Sequence, residues 1–371
     1  MKIGLPKEIK PNEHRVGLTV ESVRELRRHG HDVCVESGAG QGIGALDEDY
    51  KLAGAAIAPN ASDVFEAANL IIKVKEPQPG ETAMLNEKHV LFTYLHLAAD
   101  PEQASALQAS GCTAIAYETV TDNDGGLPLL TPMSEVAGRL SIQAAASCLE
   151  KQHMGRGLLM GGVPGVAPAR VVIIGGGVVG LNAARMAVGI GAEVSILDRS
   201  LPRLRALDAI FQGRARLLYA LNETVEREIR GADVVIGAVL IPGASAPQLV
   251  ERRNLRDMKT GAVLVDIAID QGGCFATSVP TTHDEPTFVV DEIVHYCVAN
   301  MPGAVPRTSS YALNNATLPK VLSLASGGLQ ALRDGHLRAG LNVHRGKVTN
   351  EAVATSLGAE FTDAHAVGIA A

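Results

Sequence analysis

Short apolar runs separated by amphipathic stretches recur along the chain. Residues 2–5, 33–36, 70–75, 90–95 and 114–117 are each four to six residues long and mostly apolar, the pattern of short strands. Residues 21–29 carry apolar side chains at helical spacing and stop at Gly30. This alternation predicts an α/β domain over residues 1–128, closed by the Gly/Pro-containing turn at 122–128. A helix is expected next, running to about His153, with Thr131 as its cap, Pro132 in its first position and Glu135 near its positive end. Met133, Val136, Ala137 and Leu140 share one of its faces. Strands are then expected at 171–174, 193–197, 234–239, 262–267, 287–290 and 296–299. Helical stretches between them predict a doubly wound parallel sheet over residues 129–304. Residues 305–371 hold one clear helix, for which Thr317 is the expected cap and Pro319 lies near the start.

The most specific pattern is VVIIGGGVVGLNAARMAVGIGAEVSILD, residues 171–198. An uncharged β-branched run leads into Gly175, Gly177 and Gly180, then a helix, a second strand and Asp198. Gly175 permits the tight turn, Gly177 lets a pyrophosphate approach the backbone, and Gly180 lets helix and strand pack closely. Phosphates are expected at the positive helix N-terminus. Asp198 stands where a carboxylate accepts hydrogen bonds from the adenosine ribose. Ligands of such sheets bind at the strand C-terminal ends. Val239, Leu240, Ile267, Ala268, Ile269, Asp270, Val298, Ala299, Asn300 and Met301 are therefore expected around an NAD cofactor.

Composition narrows the partners. Of 371 residues 46% are hydrophobic, enough for two sizeable cores. Thirty-three Lys and Arg against 40 Asp and Glu give −7, which argues against nucleic acid or an anionic membrane as partner. The most apolar region is the Gly-rich unit, whose uncharged run 171–184 is too short to span a bilayer and ends at Arg185. Five scattered cysteines without a CxxC pair indicate neither a disulfide framework nor a thiolate metal site. The MKIGLPKE start has no signal-peptide character, so a cytoplasmic protein is expected.

Four further residues have the right chemistry for a substrate site, each with a plainer reading beside it. Arg15, in a polar loop, suits a carboxylate, although a solvated surface arginine is the commoner case. Lys75 ends a strand on the same face as Lys73, where an exposed edge-strand lysine is an equal alternative. His96 ends an apolar strand, as an acid–base group or a packed histidine. Asp270 ends VLVDIAID with Asp266 four residues before it, and only one of the two need be functional.

The blocks that contain these residues resemble one family. GLPKEIKPNEHRVGLTVESVRELRRHGH and the 171–198 segment resemble the two signatures of alanine dehydrogenases and the related nicotinamide nucleotide transhydrogenase α-subunits. VKEPQ, TYLHLA, LLTPMSEVAGRLS, IGAVLIPG, VDIAIDQGGCF, TTHDEPTF and YCVANMPGAVPRTSSYALNNATLP resemble alanine dehydrogenase blocks in the same order.

The resemblance implies NAD-dependent oxidative deamination of L-alanine to pyruvate and ammonium by a homohexamer. It implies that the two chain ends, 1–128 and 305–371, fold together as a Rossmann-like substrate domain beside the NAD domain. Arg15 and Lys75 would bind substrate, His96 and Asp270 would act as acid–base groups, meeting across the interdomain cleft, and Met133 and Asn300 would line the site. Ser134 would contact the pyrophosphate, Val178 and Val179 would cover it, and Arg203 would lie near the adenosine. The chain departs from the family pattern at Val20 (usually Pro), Ala220 (usually Ser), Ser245 (commonly Lys) and Val279 (frequently basic); none is a proposed catalytic group. A transhydrogenase module, an opine- or lysine-pathway dehydrogenase and a non-catalytic NAD-binding protein are the alternatives.

Overall fold

A computed structural model describes residues 1–239 and 247–369, and the chain divides into two units: Met1–Met133 with Val305–Ala371, and Ser134–Ala304. Among the described residues the first unit contains β1 (Lys2–Leu5), β2 (Asp32–Glu36), β3 (Ala56–Ala58), β4 (Leu70–Ile72), β5 (Val90–Thr93) and β6 (Thr113–Ala116). The second contains β7 (Arg170–Ile174), β8 (Glu193–Asp198), β9 (Arg216–Tyr219), β10 (Val234–Gly237), β11 (Val263–Asp266), β12 (Thr287–Val290) and β13 (Ile293–Tyr296). β14 (Leu341–His344) and β15 (Lys347–Val348) return to the first unit.

In the first unit the strand order is β15-β14-β6-β5-β4-β1-β2-β3. β1 to β6 are parallel, and β14 and β15 add an antiparallel edge. β1 leads towards β2 and β3, whereas β4 leads towards β5 and β6, so the order switches between β1 and β4. The second unit has the order β12-β13-β11-β10-β7-β8-β9 and switches between β7 and β10. In open parallel sheets such a switch opens a crevice at the carboxyl ends of the strands. Helices cover these sheets because strands with both faces apolar must be buried on both. Leu91, Leu107, Ala114 and Val343 lie in one core, and Val172, Val235, Leu264 and Phe275 in the other. Each fully buried aliphatic side chain contributes about 1.5–3 kcal/mol.

The structure adds β3, β9, β14 and β15 to the expected strands and ends the helix expected to reach about His153 at Cys148, and three further differences have local causes. The last two strands of the second unit form an antiparallel hairpin, with Val290 opposite Ile293. Its two turn residues, Asp291 and Glu292, have φ of 47° and 64°, the paired positive angles of a type I′ turn. Asp291 suits a positive φ, but Glu292 stands where such turns usually carry glycine, so the paired signature is missing. The helix expected near Thr317 begins eleven residues earlier and runs Pro306–Gly327, with Thr317 and Pro319 inside it. Its buried face contains Ser309, Ser310 and Asn314, which interrupt the apolar period. These polar groups have partners: Ser310 Oγ accepts from the Val16 amide at 3.0 Å, and Asn314 Oδ1 from the Thr19 amide at 2.8 Å. The long helix thus fixes the loop that carries Arg15. The third difference lies at Thr131, which opens the helix Thr131–Cys148 and donates its hydroxyl to the Leu127 carbonyl at 3.0 Å instead of capping. Val20, in place of the usual proline, is the first residue of the helix Val20–Arg28, and Thr19 Oγ1 still accepts from the Ser22 amide. The first helical turn needs no donor from position 20, so valine forfeits only the ring's preset φ.

His295 gives the second unit an acid sensitivity. It is fully buried on β13, stacked on Phe288, with Nε2 2.8 Å from Thr277 Oγ1 and Nδ1 3.0 Å from the Ile293 carbonyl. Burial lowers its pKa below 6.5. The folded protein therefore holds it neutral where the unfolded chain takes up a proton. Its contribution is complete above about pH 6.5 and is lost as pH falls towards the folded value. Thermal melts followed by circular dichroism between pH 7 and 5 should show a steeper Tm loss for the wild type than for His295→Gln. Parallel curves would contradict this account.

Candidate active site

In the second unit the glycine loop follows β7 at the switch point. Gly175 has φ of 103°, and a Cβ there would stand 2.6 Å from the Ala238 carbonyl oxygen. At Gly180 a Cβ would fall 1.8 Å from the Gly175 carbonyl oxygen, so only glycine lets the helix Val178–Ile190 start so close to the strand. Gly177, the N-cap, has open space where its Cβ would point. The helix therefore presents its unpaired first amides to an uncovered approach, the arrangement a pyrophosphate needs. Val178 forms an exposed lip beside it, and Val179 is buried.

Asp198, at the tip of β8, accepts from the Gly176 amide (2.7 Å) and the Ser200 amide (2.7 Å) with its two oxygens. Each oxygen keeps a second lone pair for a ribose hydroxyl. Arg203 donates to the carbonyls of Gly176 and Gly177, so it braces the loop from outside. The residues present fit a dinucleotide. Val239, Ile267, Ala268, Ile269, Asp270, Val298, Ala299, Asn300 and Met301 follow β10, β11 and β13, all at the carboxyl ends of adjacent strands. Leu240 and Ser245 lie outside the described residues. Ser134 sits half-buried in the first turn of the helix Thr131–Cys148, and that helix approaches the glycine-loop helix closely: a Cβ on Gly138 would stand 2.2 Å from the Val179 carbonyl oxygen. Ala220 pairs its amide with the Asp198 carbonyl at 3.1 Å, and Val279 is exposed.

Asp266 and Asp270 separate into two roles. Asp266 is fully buried. It accepts from the amides of Ala268 (3.1 Å), Cys274 (2.8 Å) and Phe275 (3.3 Å) and from Ser278 Oγ (2.5 Å). Cys274 Sγ donates to it at 3.4 Å; burial and the carboxylate push this thiol well up, which keeps its proton in place. Asp266 thus folds the 267–278 loop around itself. Asp270, by contrast, is exposed on the one-turn 3-10 helix Ile269–Gln271. Asn300 has φ of 60°, and its carbonyl lies 3.2 Å from His283 Nε2.

In the first unit Arg15, Lys75 and His96 follow β1, β4 and β5, three adjacent strands flanking the other switch point. Arg15 is 2% exposed, which corrects the solvated-arginine reading. The side edge of its guanidinium is held by Glu13, Nε to Oε1 at 2.7 Å and Nη2 to Oε2 at 2.5 Å, while Nη1 points to Met133 Sδ at 3.1 Å. β4 is an interior strand, which corrects the edge-strand alternative for Lys75; the lysine lies three residues beyond β4, half-buried, and its carbonyl accepts from Thr93 Oγ1 at 2.9 Å. His96 lies three residues past the end of β5 rather than ending it, with φ of 51°. Its ring stacks on Tyr94 at 5.8 Å, and its side chain is 48% exposed.

Sequence reasoning missed the carboxylates behind these groups. Glu118, just after β6, accepts the amide of His96 at 2.6 Å and that of Leu95 at 3.2 Å, and lies 3.9 Å from His96 Nδ1. It holds the left-handed turn that aims the ring. Glu13, two residues from Arg15, was visible as a nearby opposite charge, but nothing local to Glu118 linked it to a histidine 22 residues earlier. Among the described residues no cluster of His, Cys, Asp or Glu is arranged to hold a metal ion, and no helix is long and apolar enough to cross a membrane.

Comparison with known proteins gives concordant matches. Residues 4–137 match the family model described as alanine dehydrogenase/PNT, N-terminal domain, and residues 141–351 the corresponding C-terminal domain. A curated alanine dehydrogenase of Halomonas elongata is 58% identical over 98% of this chain and 99% of its own length. A solved L-alanine dehydrogenase superposes with a TM-score of 0.94 at 52% identity, covering 96% of this chain and 99% of that one. The crystal structure of a transhydrogenase from Sinorhizobium meliloti superposes with a TM-score of 0.82 at 27% identity, covering 95% and 100%.

The contrast between the two aspartates is measurable. Asp266→Asn turns one acceptor oxygen into a donor facing amides, which should cost about 1–3 kcal/mol of unfolding free energy in urea. Asp270→Asn, on an exposed turn, should stay within about 0.5 kcal/mol of the wild type. Equal losses would remove the distinction.

Proposed function

The chain belongs to the alanine dehydrogenase/PNT family, and from that premise we propose that it is an NAD-dependent L-alanine dehydrogenase. The reaction converts L-alanine, NAD and water to pyruvate, NADH, ammonium and a proton, reversibly. One observation supports this reading most directly: a guanidinium, an ammonium and an imidazole stand after neighbouring strands at one end of the first unit. A module that only passes hydride to a partner protein would not need all of Lys75, His96 and Asp270. On family likeness we also assign a homohexamer in the cytoplasm, acting on small molecules alone.

Bound NAD supplies the acceptor for the hydride of the substrate α-carbon. The protein's residues do the rest. Arg15 and Lys75 bind the substrate carboxylate and hold the α-carbon in place, with Met133 and Asn300 bounding the methyl group. Glu13 holds the side edge of Arg15 and so fixes the orientation of its guanidinium. His96 keeps its Nδ1 edge towards Glu118, so Nε2 is the atom assigned to take up and return protons at the amine and at the attacking water. Asp270 orients that water and balances positive charge on the substrate nitrogen.

Asp198 bears on cofactor choice. A 2′-phosphate would bring like charge to within about 4 Å, costing about 1–4 kcal/mol. Arg203 is engaged with the glycine-loop carbonyls. Alanine-dependent NADH formation, followed by absorbance, should therefore exceed NADPH formation by about tenfold to several hundredfold in kcat/KM. No turnover with alanine would overturn the reading, and equal turnover with NADP would overturn the role of Asp198.

His96→Ala should lower kcat by about 10²–10⁴-fold and leave NADH affinity, read by fluorescence titration, within about twofold of the wild type (~0.4 kcal/mol). The histidine belongs to the first unit and the dinucleotide features to the second. A near-normal kcat would remove His96 from the mechanism.

A further inference from the structure

The first unit buries a second set of charges that the proposed chemistry does not use. Lys73 is 0% exposed, with Nζ 3.0 Å from Glu8 Oε2 and 2.8 Å from Glu81 Oε1. Both carboxylates are buried as well. Desolvating three charges is costly, and such clusters seldom stabilise a fold more than apolar residues of the same volume would. Their value lies in the geometry they impose.

That geometry has a clear target. The second oxygen of Glu8 accepts the Val74 amide at 2.6 Å, between Lys73 and Lys75. The Lys73 amide donates to the Phe92 carbonyl at 3.3 Å, and the Tyr94 amide to the Val74 carbonyl at 3.2 Å. With the Thr93 hydroxyl on the Lys75 carbonyl, residues 73–75 are tied on both sides. Glu81 Oε2 accepts the Gln78 amide at 2.8 Å, which fixes the turn that follows. Glu8 itself lies in the loop after β1 that carries Glu13 and Arg15. Lys73 is thus the buried link between the segment bearing Arg15 and the segment bearing Lys75. Nearer the surface, Lys10 and Glu76 join the same two segments.

We propose that the Glu8–Lys73–Glu81 triad is a positioning device that sets the spacing of Arg15 and Lys75 and thereby the affinity for the substrate carboxylate. The proposal rests on reading Arg15 and Lys75 as the carboxylate anchors. Bound groups displaced by about an ångström lose effectiveness steeply, by about 10²-fold in unfavourable cases.

The test uses the full-length protein with Glu81→Gln, which keeps an oxygen acceptor but removes one charge, and Lys73→Met/Glu81→Gln, which removes both the ammonium and one carboxylate. Pyruvate affinity is measured by titration calorimetry with NADH present and ammonium absent, alongside KM for alanine, kcat and NADH affinity. The expected result is a pyruvate Kd and alanine KM raised about tenfold or more in the double variant and less in the single one, with NADH affinity held within about twofold. A triad that served only to hold the fold together would lower Tm and the active fraction while pyruvate Kd and KM stayed at wild-type values, and that result would overturn the proposal. Should the double variant fail to fold, an unchanged pyruvate Kd in Glu81→Gln overturns it alone. Absence of alanine turnover in the wild type would instead refute the enzymatic reading, and the calorimetric comparison would still decide the triad.

Discussion

β1 with β4, and β7 with β10, are neighbouring parallel strands whose outgoing connections run to opposite sides of their sheets. No crossover helix covers the ground between two such connections, so each sheet is left with one uncovered place at its carboxyl edge. Arg15, Lys75, His96 and Asp270 all stand on segments that follow strands flanking or next to that place. In the second unit the backbone itself is the binding element, and the Gly175–Gly180 approach keeps side chains out of it. In the first unit the side chains proposed to bind and act on substrate, Arg15 and His96, are held by carboxylates, Glu13 and Glu118. The same topological gap has been filled by opposite means.

The electrostatics of the first unit follow from depth. Arg15 is too buried to be screened by water, and a lone guanidinium there would be prohibitive. Glu13 neutralises it and holds it along its side edge. Breaking such a buried pair by removing one member costs about 3–5 kcal/mol, because the survivor is left uncompensated.

What could be read from the sequence follows the range of the interaction involved. Gly175, Gly177, Gly180 and Asp198 are constrained by neighbours within one βαβ unit, and spacing alone displayed them. Arg15, Lys75 and His96 were visible as residue types, but their surroundings were not: Lys73 meets Glu8 from 65 residues away, and Glu118 meets the His96 amide from 22. The family resemblance supplied roles that the residues alone left even. The helix Pro306–Gly327 was half hidden for a related reason. Its buried serines and asparagine look like solvent-facing positions until the Val16 and Thr19 amides they serve are found, nearly 300 residues earlier. The hairpin at Asp291 and Glu292 was hidden because Glu292 takes a positive φ that its residue type does not advertise.

Arg203 carries a consequence for how cofactor use evolves in this fold. It already clasps the carbonyls of Gly176 and Gly177, while Asp198 clasps the Gly176 amide. The carboxylate and the arginine therefore grip the same peptide units from two sides. Exchanging Asp198 for a neutral residue frees Arg203 to turn outward only by loosening the loop, and recruiting Arg203 for a phosphate without that exchange leaves the repulsion in place. Under the role proposed for Asp198, the two exchanges are coupled through the peptide units that both side chains hold.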